Sequence, residues 1–157
     1  PSPNLPNSQA IALYPSLCLF EATIMSVGRG TDKPFQALGH PNVGFGQLVF
    51  TPQVKIGEDS NPRHKGKPCY GIDYREKGLP KGQISLAPLV DLYRKAESLG
   101  LQLINQRQLF DLLAGTKTLR SQLASGLSEA EIRASWEADL EAYRRLRAKY
   151  LLYEDAR

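Results

Sequence analysis

Pro15-Ser-Leu-Cys-Leu-Phe-Glu-Ala-Thr-Ile-Met25 is an almost wholly apolar stretch that a single carboxylate, Glu21, interrupts. Its apolar side chains must enter a core, but a lone ionised carboxylate is costly to bury. Glu21 therefore needs a cation, several N–H donors or a retained proton. Arg29 follows eight residues later, across the glycine-rich turn 26–34. Two interpretations stay open: Arg29 pairs with Glu21 and pins the turn, or both side chains face a ligand cleft.

The turn itself contains Gly28-Arg29-Gly30-Thr31. Its glycines permit positive φ and a close approach of a ligand to the backbone. The spacing matches neither a P-loop nor a dinucleotide fingerprint. The turn is thus only loosely similar to an anion-binding loop, with Arg29 as the group that would hold a carboxylate or a sugar hydroxyl.

Upstream of this stretch, the proline-rich residues 1–7 predict an extended arm, because a residue that precedes proline favours extended geometry. The chain begins with Pro1, and its start has neither the basic nor the apolar region of a signal peptide. We therefore expect a piece of a longer or processed protein, with 1–7 arriving from an upstream domain. We also expect a short helix over 8–14 that stops before Pro15, and a second helix that Pro15 opens.

Downstream of the turn, the pattern predicts one helical turn over 34–38 and strands over 47–54 and 67–75, the first ended or bulged at Pro52. A polar loop separates the strands, and a Gly/Pro turn over 76–83 follows them. Residues 101–104 predict a short third strand.

Four helices are expected after the strands, over 85–99, 107–114, 116–125 and 129–149. Ser85 caps the first helix, and Gly100 ends it. Ser128 and Glu131 form a capping-box pattern at the start of the last one. Trp136 and Tyr143 recur there at helical spacing, and we expect them to pack in the core. Together these elements predict an α+β domain with a small, mostly antiparallel sheet and five or six helices.

Composition limits the class of protein. The 157 residues are 41% hydrophobic and 23% charged, which suits one globular domain. The net charge is +4, and the basic residues are interspersed with acidic ones, whereas a nucleic-acid binder usually carries a denser basic stripe. We therefore expect no nucleic-acid partner; the segments that would serve one are 63–67 and the last helix. No apolar run approaches the roughly 18 residues of a membrane span.

The cysteines and histidines predict no cofactor and no metal site. We expect Cys18 to be a buried small hydrophobe and Cys69 to lie in a strand, and two cysteines leave a disulfide between them open. His40 and His64 lie in separate loops without a cluster of further ligands. We assign His64 to a basic surface loop.

Several segments, taken in order, are similar to one family. They are Pro1-Ser-Pro-Asn-Leu-Pro6, Tyr14-Pro15, Glu21-Ala-Thr23, Ser26-Val-Gly-Arg-Gly-Thr31, Pro34-Phe35, Phe50-Thr-Pro52, His64-Lys-Gly66, Cys69-Tyr-Gly71, Leu113-Ala-Gly-Thr116, Ile132-Arg-Ala-Ser-Trp136 and Arg147-Ala-Lys-Tyr-Leu-Leu-Tyr153. In that order they closely resemble the C-terminal part of the NamZ-like exo-β-N-acetylmuramidases, over essentially the whole chain. Ala22 departs from the usual Glu-Gly-Thr of the family, which affects the local backbone.

The resemblance implies that residues 1–157 are the smaller, C-terminal substrate-cleft domain of a parent with a Rossmann-like N-terminal domain. Family members remove terminal N-acetylmuramic acid from peptidoglycan fragments, in a cleft between the two domains. Their catalytic glutamate belongs to the N-terminal domain, so we expect no catalytic residue here and no activity from this chain alone. The family suggests a periplasmic or secreted location. The alternative is a stand-alone carbohydrate-binding or protein-interaction module without catalysis.

The implied ligand gives the predicted site residues their roles. N-acetylmuramic acid carries a lactyl carboxylate, and Arg29 is the natural cation for it. Glycosidases usually use two carboxyl groups. We expect Glu21 to orient Arg29 rather than to act as an acid, because a carboxylate paired with arginine stays ionised. The residues expected to bind the sugar are Glu21, Arg29, Gly30, Thr31, Asn4 and Tyr14.

Overall fold

The computed structural model describes residues 2–77 and 83–153, which fold into helices around a small antiparallel sheet. The strands are β1 (Ala37–His40), β2 (Leu48–Phe50) and β3 (Cys69–Asp73). The helices are α1 (Ser8–Leu17), α2 (Tyr74–Lys77), α3 (Ala87–Ser98), α4 (Arg107–Ala114), α5 (Thr118–Ala124), α6 (Glu129–Ala134) and α7 (Glu137–Ala148), and a 3₁₀ helix, Cys18–Ala22, follows α1. Apart from the four-residue α2, six α-helices are described, so the predicted α+β class is confirmed.

The sheet has the order β1-β3-β2, and both strand pairs are antiparallel. The strands expected over 47–54 and 67–75 are confirmed in shorter form as β2 and β3. The third strand of the sheet is β1. It begins at Ala37, so the helical turn expected over 34–38 is wrong for its last two residues. Ser26 exchanges backbone hydrogen bonds of 2.8 and 3.1 Å with Gly39, and these bonds tie the glycine-rich turn to the outer edge of β1.

Residues 101–104 do not form the expected strand. A single bridge joins Thr23 to Ile104, and Ile24 N–H donates to the Leu103 carbonyl at 2.9 Å. The 3₁₀ helix ends at Ala22, immediately before Thr23, and the bridge between Thr23 and Ile104 is not extended into a strand pair. The apolar residues Leu103 and Ile104 are buried all the same.

Helix α1 runs through Pro15, contrary to the expected break. Asn7 caps the helix by accepting from the Ala10 N–H at 2.8 Å. Pro15 lies in the last turn, where it removes the hydrogen bond to the Ile11 carbonyl, and the helix continues for two residues beyond it. The chain then tightens into the 3₁₀ helix, which replaces the second helix expected after Pro15.

The core lies between the sheet and the helices. Phe20, Phe35 and Phe110 are fully buried in it, and α4 packs against the 3₁₀ helix. Helices α3, α4 and α5 confirm the predicted elements. The cap expected at Ser85 is wrong, because Leu86 occupies the N-cap position of α3 and makes no side-chain cap hydrogen bond. Ser85 lies one residue earlier, and its Oγ accepts from the Ala87 N–H at 3.2 Å. Gly100 takes the left-handed conformation just past α3, with φ of 69°. The Gly/Pro turn expected over 76–83 falls largely on residues 78–82, which lie outside the described residues.

The single helix expected over 129–149 is two helices, α6 and α7. Its capping box is confirmed, since Ser128 Oγ and the Glu131 carboxylate each accept from the other's backbone N–H. Ser135 Oγ donates to the Ile132 carbonyl at 2.6 Å, and this side-chain bond competes with the backbone ladder where α6 ends. Trp136 packs partly against the core, but Tyr143 is 60% exposed, so the core position expected for Tyr143 is wrong.

Both thiols are free, which excludes the disulfide that the sequence left open. Cys18 is half-buried rather than buried, and Cys69 lies inside β3, where burial raises its pKa to about 11. None of the helices among residues 2–77 and 83–153 has the length and apolarity needed to cross a membrane.

The close approach of β1 and β3 at Gly71 gives a stability prediction. A Cβ at Gly71 would collide with the Leu38 carbonyl oxygen, which is rigid backbone, whereas a Cβ at Gly44 would meet nothing within 4 Å. Gly71→Ala should therefore lower the free energy of unfolding by about 2 kcal/mol or more. Gly44→Ala should change it by less than about 0.5 kcal/mol. Urea unfolding of both variants measures this, and equal stabilities would contradict the strand register.

Candidate functional site

Glu21 and Arg29 form an ion pair at the rim of the core. The 3₁₀ helix buries Leu19 and Phe20 and leaves the Glu21 side chain 24% exposed. Arg29 Nη2 donates to Glu21 Oε1 at 2.6 Å, with the Arg29 side chain 30% exposed. The pairing expected from the sequence is therefore present, as one short charge-assisted hydrogen bond.

Two aromatic rings support the guanidinium group of Arg29. Its Cζ lies 5.1 Å from the centre of the Phe35 ring, and Tyr14 packs edge-on against Phe35 with centroids 4.8 Å apart. Burial, with the nearby Cys18 and Glu21, raises the pKa of Tyr14, so its hydroxyl stays neutral near neutral pH. Arg29 Nε is buried without a hydrogen-bond partner among the described residues. The structure thus brings Tyr14, Glu21 and Arg29, three of the residues expected to bind the sugar, close together.

Gly30 and Thr31, in contrast, are used inside the turn. Gly30 has φ of 76°, and a Cβ there would strike the Gln53 carbonyl and approach Pro62 Cγ to 2.7 Å. Thr31 is buried; its Oγ1 donates to the Gly28 carbonyl at 2.6 Å and accepts from the Lys33 N–H at 2.9 Å. Both residues fix the path of the backbone that carries Arg29.

Asn4 lies in the N-terminal arm, which contains a tight turn. Ser2 and Leu5 exchange backbone hydrogen bonds of 3.1 and 2.9 Å across it. The Asn4 side chain donates to the Glu58 carbonyl at 3.3 Å and so links the arm to the 55–66 loop.

Sequence reasoning missed Arg63 and misplaced His64. Arg63 Nη2 donates to the main-chain oxygen of Glu21 at 3.4 Å. His64 is half-buried rather than part of a surface loop, and its Nε2 lies 2.7 Å from the Ile24 carbonyl. The rings of His40 and His64 meet edge-on with centroids 4.9 Å apart. No local pattern in the sequence signals these contacts, which join segments about forty residues apart.

Backbone strain is concentrated at this place. In the part of the chain that the structure describes, Phe35 and His64 are the two non-glycine residues with positive φ, at 54° and 61°. A bulky residue such as phenylalanine rarely adopts this conformation, and such outliers cluster at ligand sites. We call the group Tyr14, Glu21, Arg29, Phe35, Arg63 and His64 the glutamate patch.

A cavity of about 390 Å³ lies elsewhere, between α3, α4 and α5. Arg107 and Arg120 line it, and Arg120 is held by two hydrogen bonds to Asp111, of 3.0 and 2.9 Å. This cavity lacks the strained backbone of the glutamate patch, which we therefore take as the candidate site. Over residues 2–77 and 83–153, no group of three or more His, Cys, Asp and Glu residues is placed to hold a metal ion.

Comparison with known proteins agrees with the resemblance seen in the sequence. The sequence model of the family described as "Exo-beta-N-acetylmuramidase NamZ, C-terminal" matches residues 12–153. This chain belongs to that family. The matched range includes every member of the glutamate patch, whereas Asn4 precedes it.

A curated relative of the NamZ C-terminal family is the peptidoglycan β-N-acetylmuramidase NamZ of Bacillus subtilis strain 168. It is 30% identical over 176 aligned positions, which cover 98% of this chain and 40% of the relative. The chain therefore spans less than half the length of the curated relative that it matches.

Two solved structures share the fold, and both are DUF1343 family proteins from Bacteroides fragilis NCTC 9343. One is 41% identical with a TM-score of 0.81, over 99% of this chain and 44% of the other. The second is 20% identical with a TM-score of 0.67, over 98% and 44%, and it shows the likeness of the fold alone.

The half-buried pair of His40 and His64 predicts how the stability of the fold depends on pH. Burial lowers the pKa of both His40 and His64, and the nearby charges of Arg63 and Lys67 lower that of His64 further. The unfolded chain thus binds more protons, so this contribution to stability is complete above pH about 6.5 and is lost as pH falls through the folded pKa values. The double variant His40→Gln/His64→Gln, which removes both histidines of the chain, should lose less stability than wild type between pH 7 and pH 5. Urea unfolding at each pH measures the difference. If wild type and the double variant lose the same stability, the pKa values of the two histidines are not lowered by folding.

Proposed function

We propose that the glutamate patch lines one wall of the sugar-binding cleft of an exo-β-N-acetylmuramidase, which releases terminal N-acetylmuramic acid from peptidoglycan fragments. The proposal rests on one observation. Two guanidinium groups, of Arg29 and Arg63, approach the single acidic residue Glu21, at 2.6 Å from its carboxylate and 3.4 Å from its main-chain oxygen. One positive charge is left over in a half-buried, strained patch, and an acidic sugar supplies the missing negative charge.

Within this wall, the patch residues have separate roles. Glu21 orients Arg29, whose charge-assisted bond and aromatic support hold it in one place. Tyr14 offers a neutral hydroxyl beside them, suited to a sugar hydroxyl or amide. Gly30 and Thr31 serve the site by fixing the turn, and Asn4 serves it by fixing the arm.

The reaction itself requires groups beyond this chain. Glycoside hydrolysis usually uses two carboxyl groups, and the carboxylate of Glu21 is already paired with Arg29. This chain covers 40% of the Bacillus subtilis muramidase. We propose that an N-terminal, Rossmann-like domain of the same protein provides the catalytic carboxyl group, and that the complete protein acts in recycling of the cell wall, in the periplasm or outside the cell.

An exposed apolar surface supports such a partner domain. In α7, Leu140, Tyr143 and Leu146 recur at three-residue spacing, and all are exposed, as are Tyr150 and Tyr153 just beyond it. Helix α7 has no buried residue, although a helix of a globular domain normally buries its apolar face. We propose that the remaining part of the longer protein covers this stripe.

Removal of Arg29 tests the wall. In the full-length protein, Arg29→Ala removes a charge-assisted bond worth about 1.5–3 kcal/mol, so affinity for N-acetylmuramic acid should fall at least about tenfold. Arg94→Ala, which removes an exposed arginine bonded to the Gly126 carbonyl, is the matched control and should not change the affinity. Calorimetric titration measures both. If Arg29→Ala binds the sugar as tightly as wild type, the glutamate patch does not line the sugar-binding cleft.

The isolated chain provides a second arm of this test. Turnover of a chromogenic N-acetylmuramic acid glycoside by residues 1–157 alone would defeat the claim that catalysis needs the other domain. Saturable binding of the sugar without turnover by the full-length protein would favour a carbohydrate-binding module instead.

The apolar stripe of α7 gives a prediction about stability. Leu146 is 53% exposed, so Leu146→Asp should change the stability of this chain by less than about 0.5 kcal/mol. In the full-length protein it should cost about 2 kcal/mol or more, because the new carboxylate is buried under the partner domain. Ala138→Asp, on another side of α7, is the control. Equal effects of Leu146→Asp in the two proteins would show that the stripe stays uncovered.

A further inference from the structure

The two arginines of the glutamate patch differ in how far their charges are neutralised. The guanidinium of Arg29 contacts the Glu21 carboxylate at 2.6 Å and lies over the Phe35 ring. Arg63 donates to the main-chain oxygen of Glu21, at 3.4 Å, and forms no ion pair with a carboxylate of residues 2–75 and 83–153. Burial without a counter-ion lowers the pKa of Arg63. The uncompensated charge of the patch therefore resides on Arg63.

The backbone around Arg63 is held in place on both sides. Pro62 is buried and packs against Gly30, and its carbonyl accepts from the Lys65 N–H at 3.1 Å. Gly66 N–H donates to the Pro52 carbonyl at 2.8 Å. His64 adopts its positive φ while its ring is anchored on the Ile24 carbonyl. The backbone that carries Arg63 is thus fixed before an anion binds, which reduces the entropy lost on binding.

The two histidines add a neutral donor and a neutral acceptor beside this charge. A carbonyl only accepts, so His64 Nε2 carries the proton and its Nδ1 is an acceptor. The Asn42 N–H donates to His40 Nδ1 at 3.2 Å, so the proton of His40 is on Nε2, which is a donor. A half-buried arginine, one imidazole donor and one imidazole acceptor suit a carboxylate that is attached to a hydroxyl-bearing sugar.

We propose that Arg63, rather than Arg29, binds the lactyl carboxylate of N-acetylmuramic acid, and that His40 and His64 bind polar groups next to it. This inference rests on the proposed function. It makes Arg63 the residue that determines specificity for the acidic sugar, while Arg29 contributes equally to binding of acidic and neutral sugars.

The test compares N-acetylmuramic acid with its methyl ester, which keeps the lactyl ether but lacks the charge. Dissociation constants of the full-length protein are measured by calorimetry for both sugars. Wild type should bind the acid at least about tenfold more tightly than the ester. Arg63→Gln should abolish this preference by weakening binding of the acid alone, whereas Arg29→Ala should weaken both sugars and keep the preference.

Two further variants separate charge from structure. Lys65→Gln removes the same charge from an exposed position two residues away and should behave as wild type. Arg63→Lys keeps the charge without the planar fork and should retain part of the preference; thermal unfolding checks that each variant is folded. If Arg63→Gln weakens acid and ester equally, or keeps the wild-type preference, Arg63 does not bind the carboxylate and this inference alone is overturned. If wild type binds neither sugar, the proposed function fails and this inference fails with it.

Discussion

The carboxylate of Glu21 is the constraint on which the candidate site depends. The apolar segment before and after it enters the core, and the 3₁₀ helix is the local geometry that buries Leu19, Phe20 and Ala22 while it leaves Glu21 at the rim. A carboxylate in that position requires a cation, which Arg29 supplies at 2.6 Å. The turn with Gly28 and Gly30 carries Arg29 to this place, and the Phe35 ring lies 5.1 Å from its guanidinium carbon.

The parts of this arrangement that the sequence predicts are those set by near neighbours. Arg29 lies eight residues from Glu21 across a glycine turn, so their pairing follows from spacing and charge. Arg63 and His64 reach the same place through a long loop, and their contacts with Glu21 and Ile24 depend on how Pro62 packs against Gly30. That packing is a tertiary contact between segments distant in the sequence. Local patterns do not contain it, and they therefore assigned His64 to the surface.

The same distinction explains the errors in secondary structure. The Ser128–Glu131 capping box and Gly100 act within a few residues, and each marks a helix end correctly. Pro15 cannot donate a hydrogen bond to the Ile11 carbonyl, yet the helix continues for two residues beyond it, so proline here does not mark the break that the sequence predicted. The sequence of β1 has no alternation of apolar and polar residues, and Gly39 in it pairs with Gly71 of β3. The strand forms because β3 pairs with one of its sides and Ser26 with the other. The apolar period after Trp136 predicted burial for Tyr143, but α7 has no buried residue and Tyr143 is 60% exposed.

The proposed function gives one explanation for the exposed stripe on α7 and for the surplus charge of the glutamate patch, namely a second domain of the same protein. Arg29 and Arg63 are in contact with water at the open glutamate patch, and Coulomb attraction is weak in water. A second wall of the proposed cleft would exclude water and so strengthen the charge interactions with the proposed sugar ligand. The proposed partner domain would bury the apolar stripe of α7 and would leave the polar groups of the glutamate patch for the ligand. If the same domain also forms the second wall of the cleft, docking and ligand binding are coupled in free energy, and each event stabilises the other.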